Sequence, residues 1–111
     1  MKTQKELVGA STSLLILALL GREASYGYEL VKRINAEAEG LFEWQEGTVY
    51  PVLHKLEKQG LIRAQWQETA SGRRRKYYHL ITRGREALAE QAEEWRGFSA
   101  LVSRMTGPAH A

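Results

Sequence analysis

Apolar positions change period along the chain, and those changes mark out the elements. From about Gln4 to Leu20 the positions are increasingly apolar, and Leu14 to Leu20 is apolar around the whole circumference; this predicts a helix buried on more than one side and stopped by Gly21. Ser25, an N-cap residue type, opens a second predicted helix in which Gly27, Leu30, Val31 and Ile34 make one stripe before Gly40 ends it. A third helix is predicted from Gly47 or Thr48, with Pro51 in its first turn, where a missing N–H costs little. It buries Val49, Val52, Leu53 and Leu56, leaves Tyr50, Pro51, His54, Lys55 and Lys58 on the other face, and stops at Gly60. The period then falls to two: Ile62, Ala64 and Trp66 alternate with Arg63, Gln65 and Gln67, and beyond a turn Tyr78 and Leu80 share a face. Thr82 is expected to cap a last helix running to about Met105, followed by a loose tail from Gly107 to Ala111.

Three helices followed by a hairpin with one buried side predict a mainly α fold with a small β-hairpin, a winged helix-turn-helix, extended by a C-terminal dimerisation helix. The expected division is residues 1–82 for the winged domain, 83–106 for the helix and 107–111 for the tail. In the last helix Leu88, Trp95, Phe98, Val102 and Met105 occupy a and d positions of a heptad broken only by Gln91. A domain this small cannot bury that stripe alone, so a second copy is expected to cover it, with Leu14 and Leu17 of the first helix contributing.

Composition narrows the function by exclusion. At 111 residues with no cysteine, the chain has no disulfide frame and no thiolate for nucleophilic or zinc chemistry. His54, His79 and His110 lack metal-ligand spacing, and neither GREAS nor SGRRR has the lysine context of a phosphate-cradling loop, so neither an enzyme nor a cofactor is expected. No leader peptide precedes the first helix and its apolar run is too short to cross a bilayer, which points to a cytoplasmic protein without a membrane partner. The net charge is only +3, but it is segregated: Glu86, Glu90, Glu93 and Glu94 lie on the last helix, whereas Arg73, Arg74, Arg75 and Lys76 stand together at the hairpin tip.

That segregation suits double-stranded DNA. A recognition helix presents a few side chains of its N-terminal half to base edges, and Thr48, Tyr50, Pro51, His54 and Lys55 offer hydroxyl, aromatic, apolar and donor groups there. Guanidinium groups at a wing tip pair with phosphates or enter narrow A·T-rich grooves, the role expected of Arg73, Arg74 and Arg75, while Lys76 is the member of the run best placed to support the fold. Tyr26 and Tyr28, at the start of the second helix, are candidates for phosphate contact, with core packing an equal alternative; Tyr50 too has a partial core role open to it.

The segments SLLILALL, SYGYELVKRI, EGTVYPVLHKLEKQGLI and SGRRRKYYHLITRGREAL, spanning roughly residues 5 to 95, resemble the PadR family of bacterial transcriptional regulators, in its short form with a single C-terminal helix. Ile81 stands as a small insertion where the family often passes straight from Leu to Thr. The resemblance implies a homodimeric winged-helix repressor that releases DNA when a small effector binds or conditions change. It also implies that Trp95, with Phe98 near it, flanks an aromatic-binding cavity at the dimer centre; plain interface packing is the competing reading. The function expected is sequence-specific DNA-binding regulation by a homodimer on an inverted-repeat operator, with release by a small aromatic effector. The alternative is a winged-helix module for protein or RNA without operator specificity, for which an apolar or acidic third-helix face is expected instead.

Overall fold

The computed structural model describes residues 2–108, with side chains described from residue 5 onward. The last three residues of the expected tail, including His110, lie outside that range. The elements are α1 (Lys2–Arg22), β1 (Ser25–Tyr26), α2 (Gly27–Ala38), α3 (Glu46–Lys58), β2 (Ile62–Glu68), β3 (Arg74–Leu80) and α4 (Thr82–Thr106). The result is a mainly helical fold with one small antiparallel sheet in the strand order β1-β3-β2.

Several boundaries differ from the sequence expectations, each for a local reason. Helix α1 runs through Gly21 to Arg22, because Gly21 packs beside Leu80 and Leu88 without needing a turn conformation there. Ser25 does not cap α2. It is a fully buried strand residue opposite Tyr78, and its hydroxyl accepts a hydrogen bond from the Arg33 guanidinium, which also donates to the Leu19 carbonyl at 2.9 Å. Tyr26 takes the N-cap position, with no side-chain cap bond. Thr82 likewise is the first residue of α4 and not its cap: Ile81 precedes the helix in extended conformation, donates to the Leu61 carbonyl and accepts from the Arg85 N–H. Helix α3 begins at Glu46, which puts Pro51 in its second turn.

The chain leaves α3 through a Schellman turn. Gly60, at φ 74°, lets its N–H reach the Glu57 carbonyl and the Leu61 N–H reach the Leu56 carbonyl, both at 3.0 Å, and so turns the backbone directly into β2. The hairpin closes with a Thr69 to Gly72 turn and Gly72 in the left-handed region at φ 84°, a three-residue loop type matched to the twist of paired strands. The register pairs Ile62 with Leu80, Ala64 with Tyr78 and Trp66 with Lys76, so the expected alternation holds, but burial fades along it: Ile62 is buried, Ala64 half-buried, and Trp66 56% exposed. The hairpin projects beyond the core.

The core joins the first three helices to the sheet through Ile16, Leu17, Leu30, Val49, Leu53, Leu56, Ile62 and Tyr78, and α4 packs on it through the partly buried Ala87 and Leu88. Trp44, in the α2–α3 link, is sealed in by a clamp: the Asn35 side chain accepts from its N–H at 2.8 Å and donates to its carbonyl at 2.9 Å, while its indole N–H reaches Thr12 Oγ1 at 3.1 Å. Buried donors and acceptors so paired escape the 1–3 kcal/mol or so that each would cost if left unpaired. Leu17 has 0% exposure, so it belongs to the core of its own subunit and offers no surface to a partner. Leu88 also packs against this core and is half-buried within the chain; Leu14 is half-buried as well. From Arg96 onward α4 has only exposed positions, with Phe98 58% and Met105 77% exposed and Leu101 joining them at the surface.

Candidate nucleic-acid interface

Helix α3 is held at one angle by its apolar face. Val49, Leu53 and Leu56 are buried at spacings of four and three residues, with Val52 at the margin. The same periodicity sets Gly47, Pro51, His54, Lys55 and Lys58 on the opposite side, and all five are exposed. Thr48 is half-buried on one flank. Tyr50 is on the other flank and is not a free groove-facing group: its ring lies where a Cβ on Gly27 would stand, 2.2 Å from Cε1, so the absence of a side chain at Gly27 lets α2 and α3 meet. Burial pushes the Tyr50 phenol pKa up from its ordinary value, and the nearby Glu46 carboxylate, Tyr78 and Tyr28 act in the same direction. Tyr50 thus stays neutral and serves chiefly as packing between the two helices of the motif.

The wing presents a different chemistry. Arg73 is exposed at the turn; Arg74 lies with Cζ 5.3 Å from the Trp66 ring, and Arg75 with Cζ 4.3 Å from the Tyr26 ring. Tyr26 in turn meets Tyr77 edge-on at 5.5 Å. Two guanidinium groups are therefore steadied on aromatic faces, with their charge left at the surface. Lys76 pairs with Glu57 of α3 at 3.6 Å and lies 5.4 Å from the Tyr78 ring, bracing the wing against the helix as its place in the run suggested. At the start of α2, Tyr28 is 49% exposed beneath Lys32 Nζ at 5.3 Å, a hydroxyl and a cation on one edge, while Tyr26 is half-buried by its ring contacts.

Two members of this surface escaped the sequence reading, Lys32 and Trp66. Lys32 was legible in principle, because Tyr28 and Lys32 stand one helical turn apart. Trp66 could not be assigned from its alternation alone, since that pattern says which face a residue takes and not where the core ends.

A second feature lies between α1, α4 and the link from α2 to α3. Trp95 is half-buried, meets Phe98 edge-on at 6.2 Å, and lines an apolar hollow of about 270 Å³ together with Leu7, Val8, Ser11, Leu15, Phe42 and Trp44. Among the described residues no cluster of carboxylate, histidine or thiol groups has metal-holding geometry, and no helix is long and apolar enough to cross a membrane.

Comparison with known proteins gives this arrangement its context. Residues 16–90 match the model of the transcriptional regulator PadR-like family. The chain is similar to a transcriptional regulator of Clostridium thermocellum, with a TM-score of 0.83 and 29% identity over 91% of this chain and 98% of that one. It is also similar to a PadR family transcription regulator of Clostridium difficile, with a TM-score of 0.77 and 33% identity over 87% and 99%. Transcriptional regulator YqjI of Escherichia coli is 35% identical over 81 residues, which are 73% of this chain but only 37% of that protein. With a helix-turn-helix core, a basic wing and a family match that spans both, the chain belongs to the PadR-like family of transcriptional regulators, not to a family of enzymes.

Proposed function

We propose that the chain is a homodimeric repressor that reads an inverted-repeat operator with α3 and grips the flanking backbone with its wing. The observation that carries this reading is the shared exposure of His54, Lys55 and Lys58 on the outer face of α3 and of Arg73 and Arg74 on the wing, with the half-buried Arg75 beside them; a rigid apolar anchor holds the helix cations, and aromatic rings steady Arg74 and Arg75. Side chains on α3 specify and the wing positions, because base edges carry sequence and phosphates do not. An acidic or apolar α3 face would favour a protein-binding winged helix; this face carries cations.

The dimer is formed by the exposed stripe of Phe98, Val102 and Met105, with Leu101 beside it and the half-buried Leu14 of α1 contributing; Trp95 sits where this stripe meets the body. The hollow beside Trp95 takes a planar aromatic effector, whose stacking is worth roughly 0.5–1.5 kcal/mol per aromatic pair beyond area burial. Binding there alters DNA affinity by no more than the ligand's differential affinity for the two dimer openings.

The test is duplex binding as a function of salt. A DNA-binding dimer loses affinity steeply as salt rises, by a log–log slope of about 0.9 per phosphate neutralised. Absence of binding to any duplex at low salt would refute the function. For the effector, planar phenols or aromatic cations should quench Trp95 in a Trp44→Phe, Trp66→Phe background and release DNA, and Trp95→Ala should lose that response while keeping the dimer; a Trp95→Ala protein that dissociates returns Trp95 to ordinary interface packing.

A further inference from the structure

The outer face of α3 carries two exposed residues that a helix does not favour, Gly47 and Pro51. Gly47 lies in the first turn, exposed, at an ordinary helical φ, and a Cβ built on it meets nothing within 4 Å. Glycine costs a helix interior roughly 0.5–1 kcal/mol relative to alanine, and the cost has the same sign but is smaller in a first turn. Pro51 follows one turn later on the same line, also exposed, where it cannot donate to the Gly47 carbonyl and its ring crowds that group. By contrast Gly27 and Gly84 are buried, and a Cβ on either would strike Tyr50 or the Leu61 carbonyl, so those glycines have reasons inside the chain. Gly97 of α4 is as open as Gly47, but it has no such neighbour and stands off the a and d line of its helix.

Side-chain reach along the outer line of α3 therefore rises from nothing at Gly47, through a short ring at Pro51, to the long cations Lys55 and Lys58. A helix so tapered meets a continuous surface along its whole length only if its N-terminal end is tilted in. We propose that the Gly47–Pro51 ridge is where the backbone of α3 rests directly on the DNA, its first two turns seated deepest in the major groove while Lys55 and Lys58 span the widening gap behind them. This rests on the reading of α3 as the recognition helix. Gly47 is then a specificity-determining position through its lack of a side chain: any added carbon stands between the helix and the base edges.

The experiment uses the full chain and a duplex enriched by it from a random-sequence pool. Gly47→Ala should melt at the same temperature as the parent chain or higher, and bind that duplex at least tenfold more weakly; Gly47→Leu should bind more weakly still. Gly97→Ala, a matched open glycine away from the DNA, should share any thermal gain and keep full affinity. If Gly47→Ala binds within twofold of the parent chain, or melts below it, the proposal is overturned while the function stands. If the parent chain enriches no duplex, the proposal falls together with the recognition-helix reading.

Discussion

Tyr50 and Gly27 form the most consequential pair at the scale of single residues, because the ring of one occupies the space that the other leaves empty. Gly27→Ala places a carbon 2.2 Å from Tyr50 Cε1, so either the ring or the α2–α3 angle must give. We expect a loss of about 1–3 kcal/mol in denaturant unfolding, typical of overpacking. Tyr50 also sets a pH dependence. Its folded pKa is raised above the ordinary 10.0, chiefly by burial, so above about pH 10 the unfolded chain releases a proton that the folded chain retains. Stability should fall as pH rises through that range, and Tyr50→Phe should flatten the fall relative to the parent chain. A parallel pH profile in the two proteins would mean that the phenol is as free in the fold as in the unfolded chain. The partial burial of Tyr50 was foreseeable from its position on the flank of an amphipathic helix. The burial of Ser25 was not, since a serine before a helix looks like a cap until the strand it pairs with and the Arg33 that takes its hydroxyl are in place.

Helices α2 and α3 and the hairpin were legible in the sequence because each carries its own period and punctuation. Gly60 and the Ile62, Ala64, Trp66 alternation are local signals, and they hold. Strand β1 is two residues long and has no period of its own; it exists only through its pairing with β3. Pro51 was misplaced by a turn because Gln45, with no side-chain cap bond, gives a helix start no distinctive signal. The proposed function divides the labour on DNA between these elements, and mutants can separate the two parts. Arg73→Ala or Arg74→Ala should weaken specific and random duplexes alike and lower the salt slope by about 0.9 per lost phosphate contact. On the proposed reading His54→Ala and Lys55→Ala should each cost about 1–3 kcal/mol, mainly on the preferred sequence, as expected of groups that touch bases. Equal losses on every sequence from both sets would mean that α3 only grips backbone.

The whole molecule measures 64 × 30 × 20 Å, an elongated shape produced by α4, whose 25 residues extend about 37 Å at the usual helical rise. Heptad spacing located the stripe on that helix, but it could not show where the stripe leaves the body: Leu88 is spent on the chain's own core, and only the segment beyond Trp95 stands bare. The same limit applied to Leu17, since a run apolar on all sides does not say which side meets a partner. Phe98→Asp combined with Val102→Asp should turn a dimer at micromolar concentration into monomers, as read by light scattering; a folded parent chain that is already monomeric would refute the pairing. The central claim, that two such subunits carry two recognition helices to one operator, is tested most directly by sequencing the duplexes that the chain enriches from a random pool. The account predicts an inverted repeat whose half-site centres lie one helical turn, about 34–36 Å, or a multiple of it apart. Enrichment of a single unrepeated motif, or of none, would contradict it.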